Sequence, residues 1–298
     1  MAAPPTLETV FVDVPEHAVE AYEAAFATAC KTVGFFLDEA TRIWRIEGVK
    51  QTGQRDSELI TALLLAGALT GTDVPLHRNP VAADGWLART QASFPEQLVG
   101  QRFSVRGTHL RGPAPAGRIG LTLDAGVAFG SGEHGSTRGC LRALEKIAHR
   151  KPRRILDLGT GSGILAIAAT KLLHRPVIAS DIDPWSIRVT TENAKLNGVA
   201  AQIRPQLANG WANPKLHAHA PYDLVFGNIL ARPLCAMAKH LASHLAPSGT
   251  AILAGLLTSQ IRMVLAAHRP HGLTLQTTLL EANWATLILR KRGGVRLG

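Results

Sequence analysis

Between Arg153 and Ala168 the chain reads Arg-Arg-Ile-Leu-Asp-Leu-Gly-Thr-Gly-Ser-Gly-Ile-Leu-Ala-Ile-Ala, and no other stretch limits its fold so strongly. Ile155 to Leu158 is an apolar run of strand length. Gly159, Gly161 and Gly163 follow at alternate positions, and Ile164, Leu165, Ile167 and Ala168 then begin an apolar helical period. A strand, a glycine turn and a helix in that order form a nucleotide-binding corner. Glycine lets the backbone come close to a ligand, and the helix N-terminus offers free N–H groups to an anionic one. A dinucleotide fingerprint, G-x-G-x-x-G, needs its third glycine at position 164, but that residue is Ile164 and the glycine falls one place earlier.

A second landmark lies about twenty residues after the glycines. Pro176 to Asp181 reads as the next strand and ends in an acid, and Asp183-Pro184 opens a helix as N-cap and first helical residue, closed by Asn197-Gly198. A carboxylate at that strand tip can accept both ribose hydroxyls of an adenosyl group. The alternative for Asp181 is a solvated turn residue. Together the two landmarks resemble the first motifs of class I S-adenosylmethionine-dependent methyltransferases more than an NAD site. On that resemblance Asp157, Gly159, Gly161, Gly163 and Asp181 are candidate cofactor-binding residues.

A third strand, Tyr222 to Phe226, carries Gly227-Asn228 at its tip. Ligands of open α/β sheets bind at the carboxyl ends of strands, so Asn228 is expected beside the glycine corner. An amide oxygen there can accept N–H bonds from a neutral amine and aim its lone pair, which makes Asn228 the candidate catalytic residue; an ordinary turn role is the alternative. The later segments complete a seven-stranded sheet: a helix from Leu234 to Leu245, a turn at Ala246 to Gly249, a strand at Ala251 to Ala254, a helix near Ser259 to Ala267, and antiparallel runs at Leu273–Gln276 and Ala285–Leu289.

Charge divides the chain. Residues 1–83 hold six Lys/Arg against eleven Asp/Glu, a net −5, which leaves +15 on the remainder. Such a split suits two surfaces with different partners, although solvated faces would look the same. Within the acidic part a strand (Thr9 to Val14), a helix (His17 to Val33), two strands (Gly34–Leu37 and Arg42–Ile46), a helix from Asp56 to Leu69 and a strand near Val74–Leu76 follow the β-α-β-β-α-β order of a ferredoxin-like domain. No candidate catalytic side chain lies there, so binding is its expected task. The expected organisation is a ferredoxin-like domain at 1–83, a linker region with some short strands at 84–120, and an α/β domain of Rossmann-like type at 121–298.

The remaining features exclude rather than assign. Cys30, Cys140 and Cys235 are odd in number and lack metal-type spacing, as expected of a reduced, cytoplasmic protein, and Cys140 reads as core packing. The N-terminus lacks the basic and apolar regions of a signal peptide, and the apolar window Leu59–Leu69 is too short to span a bilayer. His217-Ala218-His219 has no third ligand at a matching spacing, so no metal is expected. His149 to Arg154 reads as a charged helix end, with contact to RNA as the sharper alternative.

The stretch from Leu123 to Thr137 adds a family resemblance. Phe129-Gly130-Ser131-Gly132-Glu133-His134-Gly135-Ser136-Thr137, the glycine corner and Gly227-Asn228-Ile229-Leu230 resemble the PrmA family, whose loop usually reads F-G-T-G-x-H-x-T-T. Ser131 and Ser136 stand where the family has Thr, and Gly135 often is Pro there. Over residues 1–83 the likeness is one of topology alone. The resemblance implies that Thr137, Gly159, Asp181 and Asn228 contact S-adenosylmethionine. It further implies methyl transfer to lysine and N-terminal amines of the eleventh protein of the large ribosomal subunit, a basic partner with RNA nearby. Three other readings stay open: a methyltransferase for another protein lysine or a small-molecule amine, an RNA-binding or ribosome-assembly factor that keeps S-adenosylmethionine only as a ligand, and, most distant, an NAD-dependent oxidoreductase.

Overall fold

The computed structural model describes residues 7–30, 32–38, 41–80, 95–123 and 135–293. The chain divides into two compact units, Met1–Arg89 and Thr90–Gly298.

In the first unit β1 (Leu7–Pro15), α1 (Val19–Ala27), β2 (Thr32–Asp38), β3 (Ile43–Gln51), α2 (Asp56–Thr70) and β4 (His77–Pro80) build an antiparallel sheet of order β2-β3-β1-β4. This is the expected ferredoxin-like arrangement. Alternation along β1 buries Val10, Val12 and Val14, and Tyr22 and Phe26 supply the buried stripe of α1.

The helix expected to reach Val33 stops at Ala27. Val33 instead pairs with Gly48 across β2 and β3. A Cβ on Gly48 would stand 2.5 Å from the Cys30 sulfur, so the chain can turn back over β3 only because that residue is glycine. The last strand also lies later than expected, at His77 instead of Val74. Charge fixes that register: Arg78 reaches Glu8 and Asp56, while the buried Lys50 Nζ donates to Glu8 at 2.9 Å and to Asp56 at 2.5 Å. Buried ions need partners, and pairing His77–Pro80 with β1 supplies one that the apolar Val74–Leu76 could not.

The second unit begins with β5 (Gln97–Val99), β6 (Phe103–Gly107) and β7 (Ile119–Leu123), a separate three-stranded sheet. Thus part of the stretch read as a linker region with short strands is sheet within this unit. There follow α3 (Gly135–Ile147), β8 (Ile155–Leu158), α4 (Ile164–Leu173), β9 (Val177–Asp181), α5 (Pro184–Leu196), β10 (Ile203–Leu207), α6 (Pro214–His219), β11 (Tyr222–Asn228), α7 (Ala231–Ala236), α8 (Ala238–His244), β12 (Leu245–Leu257), α9 (Ile261–His268), β13 (Leu273–Glu281) and β14 (Trp284–Lys291). The seven strands lie in the order β10-β9-β8-β11-β12-β14-β13, the first five parallel and β14 antiparallel to both its neighbours. This is the expected Rossmann-like sheet.

Its strands are apolar on both faces because both are covered. Ile155, Leu224, Phe226 and Ile252 pack into one core; Leu156, Leu158, Val225, Ala251 and Leu253 pack into the other. Three details differ from expectation. The segment 234–245 is two short helices meeting at Met237, and the turn at Ala246–Gly249 is a register irregularity inside β12, with Ser248 at φ +61°. Helix α3 starts at Gly135, so Ser136 and Thr137, read as the end of the family loop, belong to its first turn.

Candidate active site

Register brings three of the expected residues together. Leu158 pairs with Ser180 of β9 and with Gly227 of β11, so the next residues, Gly159, Asp181 and Asn228, end three adjacent strands side by side. The sheet order reverses at β8, with β9 and β10 on one side and β11 and β12 on the other. Such a reversal opens a crevice at the carboxyl edge, which is where α/β sheets hold their ligands.

The glycine loop is held from three sides. Gly159 and Thr160 donate their N–H groups to the Ser180 carbonyl at 2.8 and 3.0 Å. The Thr190 hydroxyl donates to the Gly161 carbonyl at 3.0 Å, and the Asn193 amide to the Ser162 carbonyl at 2.8 Å, so α5 clamps the turn. Gly159, Gly161 and Gly163 all have positive φ, at +74°, +54° and +82°, a backbone that side chains rarely allow. The φ of Gly163, with Thr190 packed where its Cβ would lie, sets the start of α4.

Asp157 stands beneath this loop and is fully buried. Its Oδ2 accepts from the Thr160 hydroxyl at 2.7 Å and from the Ala166 N–H at 3.1 Å, tying the turn to the first turn of α4. Burial pushes its carboxyl up to about 7; the two hydrogen bonds pull the other way and the Asp181 charge adds to the rise. Its Oδ1 is buried without a partner among the described residues. Asp157 thus positions the loop from below.

Asp181 occupies the rim. Its Oδ2 accepts from the Gly161 N–H at 2.9 Å and its Oδ1 from the Asp183 N–H at 3.0 Å. Each oxygen therefore keeps a lone-pair direction for a further donor. Asp183 caps α5 as expected, accepting from the Trp185 N–H, with Pro184 at the first helical position.

At the other wall the Asn228 amide nitrogen donates to the Thr137 hydroxyl at 3.3 Å, and Thr137 is 1% exposed. Residues far apart in sequence thus meet at one point. The family loop before them, residues 124–134, lies outside the described residues, so only Gly135, Ser136 and Thr137 of that motif are placed.

Sequence reasoning missed Gly255. Its φ is +79°, and a Cβ on it would lie 2.5–2.9 Å from the backbone of Ile229. From the opposite side, a Cβ on Gly159 would lie near the Ile229 side chain. Gly159, just past β8, and Gly255, within β12, therefore seat the turn after Asn228. The available signal was a glycine within an apolar strand, Ala254-Gly255-Leu256, which marks a close backbone approach. Thr190 and Asn193 left no such signal, because nothing in a helical period marks which polar residue faces a neighbouring loop.

The remaining candidates stand apart. Cys140 is in the core, its thiol pushed well up by burial. His217 lies on α6 and meets the ring of His244 at 2.6 Å, not His219. Among the described residues no group of three or more His, Cys, Asp or Glu is arranged to hold a metal, and no helix is long and apolar enough to cross a membrane.

With this geometry in place, comparisons with known proteins assign a family. The family model described as ribosomal protein L11 methyltransferase (PrmA) matches residues 14–292. A ribosomal protein L11 methyltransferase of Sinorhizobium fredii is 40% identical over 256 residues, covering 86% of this chain and 87% of that one. One from Rhodopseudomonas palustris is 41% identical over 233 residues, covering 78% and 79%. The crystal structure of a ribosomal protein L11 methylase from Lactobacillus delbrueckii subsp. bulgaricus aligns with a TM-score of 0.61 at 29% identity, over 66% of this chain and 98% of that one. A match across both compact units, joined to a glycine corner, an acid and an asparagine on three neighbouring strand tips, places this chain in the ribosomal protein L11 methyltransferase family.

Proposed function

We propose that this chain transfers the methyl group of S-adenosylmethionine to lysine and N-terminal amines of ribosomal protein L11 in the cytoplasm. The observation that carries this reading is the adjacency of Gly159, Asp181 and Asn228 at the sheet's reversal point. The corner suits an adenosyl cofactor: its three positive-φ glycines expose backbone, and Asp181 keeps acceptor capacity for ribose hydroxyls. Bound there, S-adenosylmethionine supplies an electrophilic methyl on a sulfonium.

The residues of the chain do the rest. Nucleophilic attack in line with the departing sulfur needs a neutral amine, and removing the proton from a free lysine at pH 7 costs about 4–5 kcal/mol. Desolvation in the crevice lowers that cost, as does a nearby positive charge. Asn228 cannot titrate and so cannot take the proton. Its amide oxygen accepts an amine N–H, while Thr137 holds the amide nitrogen and so fixes which end faces the substrate. Catalysis on this reading is orientation and desolvation rather than general-base chemistry. The unit Met1–Arg89, acidic over residues 1–83, recruits the basic ribosomal protein, and the basic remainder tolerates RNA nearby.

The test is incubation of purified protein with tritiated S-adenosylmethionine and ribosomal proteins from a strain lacking the enzyme, with products read by mass spectrometry. Label on lysine and N-terminal amines of L11 is expected. Label on a different protein, or none, overturns the assignment.

A further inference from the structure

Outside the active site, the second unit holds a cavity of about 290 Å³ at the opposite edge of the sheet. Its lining includes Arg150, Lys151 and Arg153, just before β8, together with Ser248 and Thr250 of β12 and Arg290 of β14. Register explains the gathering: Thr250 pairs with Leu224, near the start of β11, and with Arg290 on its other side. The edge is therefore the amino-terminal one, and the cofactor corner lies at the carboxyl ends of the same strands.

We propose that this cavity is an oxyanion site that takes a phosphate group. Four cationic side chains line it against one carboxylate, Asp223, whose Oδ2 already accepts the backbone N–H groups of Arg153 and Arg154 at 2.8 and 2.9 Å. Among the described residues none of the four cations is in a salt bridge. Arg150 is held in place by Thr250 at 2.9 Å and Gln276 at 2.5 Å, and its Nε is buried with no partner among the described residues. Burial and the neighbouring Arg290 both disfavour the Arg150 charge. Two guanidinium groups brought together with no carboxylate paired to either are relieved by a bound anion, and planar guanidinium forks with a flanking hydroxyl match phosphate oxygens. Most ligand pockets are apolar; this one is small and polar, which suits a headgroup rather than a ring system.

Two sources present this chemistry: a phosphodiester of an RNA strand and free inorganic phosphate. The experiment uses the full chain and the double variant Arg290→Gln/Lys151→Gln, whose altered side chains hold no hydrogen bond to the described residues, with Lys151→Gln alone as a milder, exposed change. Binding of S-adenosylhomocysteine, at the far edge of the sheet, is the check on folding and is expected to be equal in all three. Affinity for a short single-stranded RNA of mixed sequence is measured against salt, and melting temperature against inorganic phosphate. If RNA is the source, the salt dependence of log affinity becomes shallower by about 1.4 in the double variant, the loss of two phosphate contacts on a single strand. If free phosphate is the source, it raises the melting temperature of the parent protein and not of the double variant, and RNA affinity is the same in both. Equal responses of parent and variants to both probes overturn the proposal.

Discussion

The Asn228 amide nitrogen, at the tip of β11, donates to the Thr137 hydroxyl in the first turn of α3, across 91 residues of sequence. On the proposed function, this bond leaves the amide oxygen to face a substrate. If Asn228 orients the amine, Asn228→Ala lowers kcat far more than it weakens cofactor affinity, because orientation acts at the transition state. Thr137→Val leaves the amide free to rotate and lowers kcat less. The double variant is expected to be non-additive by about 0.5–3 kcal/mol, as for residues in contact. Steady-state kinetics at saturating cofactor measure all three, and additive effects would show that the two residues act separately.

On the proposed function, Asp181 holds the ribose hydroxyls of the cofactor. Asp181→Ala removes charge-assisted hydrogen bonds worth about 1.5–3 kcal/mol, so affinity for S-adenosylmethionine falls at least tenfold by calorimetry. The same change frees the Gly161 N–H, and a slightly lower melting temperature is expected with it. Unchanged affinity removes Asp181 from the site.

Gly255→Ala tests the seat of the asparagine turn. The added Cβ meets Ile229 backbone atoms, and φ +79° strains any side chain. Because backbone rather than a flexible side chain must give way, the turn after Asn228 is displaced. The expected outcome is a fall in kcat of at least tenfold, since displacements of about 1 Å cost that much or more. Leu256→Val, a neighbouring change on the same strand, serves as the packing control.

Asp157 makes stability depend on pH in a defined sense. Its carboxyl rises from an ordinary value of 3.8 to about 7 on folding, chiefly through burial. The folded protein then holds a proton that the unfolded chain releases. The contribution to stability is fully present below about pH 4 and is lost as pH rises through about 7. Asp157→Asn cannot titrate and lacks this dependence. Urea midpoints of the two proteins, measured between about pH 4 and 8, should therefore diverge with the parent losing ground as pH rises. A constant difference across that range contradicts the burial argument.

The proposed division of labour between the two units predicts the behaviour of a chain starting at Thr90. It folds, binds S-adenosylmethionine with near-normal affinity and fails to methylate intact ribosomal protein, because docking raises the effective concentration of the target amine. Full activity on the intact protein would place recognition in the second unit. Loss of cofactor binding by a folded chain would mean that the two units share the site.

How much of this was legible in the sequence depended on whether a local rule was at work. The glycine corner, the acid at Asp181 and the Asp183-Pro184 cap are set by backbone geometry within a few residues, and each stands where its spacing put it. Asn228 followed from one further rule, that ligands collect at strand tips. The hydrogen bond to Thr137 and the role of Gly255 depend on which strands become neighbours, and no short window carries that information. The overlong first helix failed for a similar reason: its stripe at 3.6-residue spacing ran on into Cys30 and Val33, while pairing with β3 claimed Val33 as strand. The late fourth strand failed because buried Lys50 and Glu8 outweighed an apolar run.

Strand β14 is inserted between β12 and β13, and its Ala285, Leu287 and Leu289 are buried. A ribosome making this protein releases β13 before the strand that joins it to the sheet exists. Until then β12 shows an unpaired edge and β13 has no sheet to join. Folding of the second unit must therefore wait until β14 has been made, leaving a window in which the nascent chain is exposed to edge-to-edge association. A nonsense mutation ahead of Trp284 would remove an interior strand rather than trim a margin, and the shortened product would go to proteolysis rather than persist as a weakened enzyme.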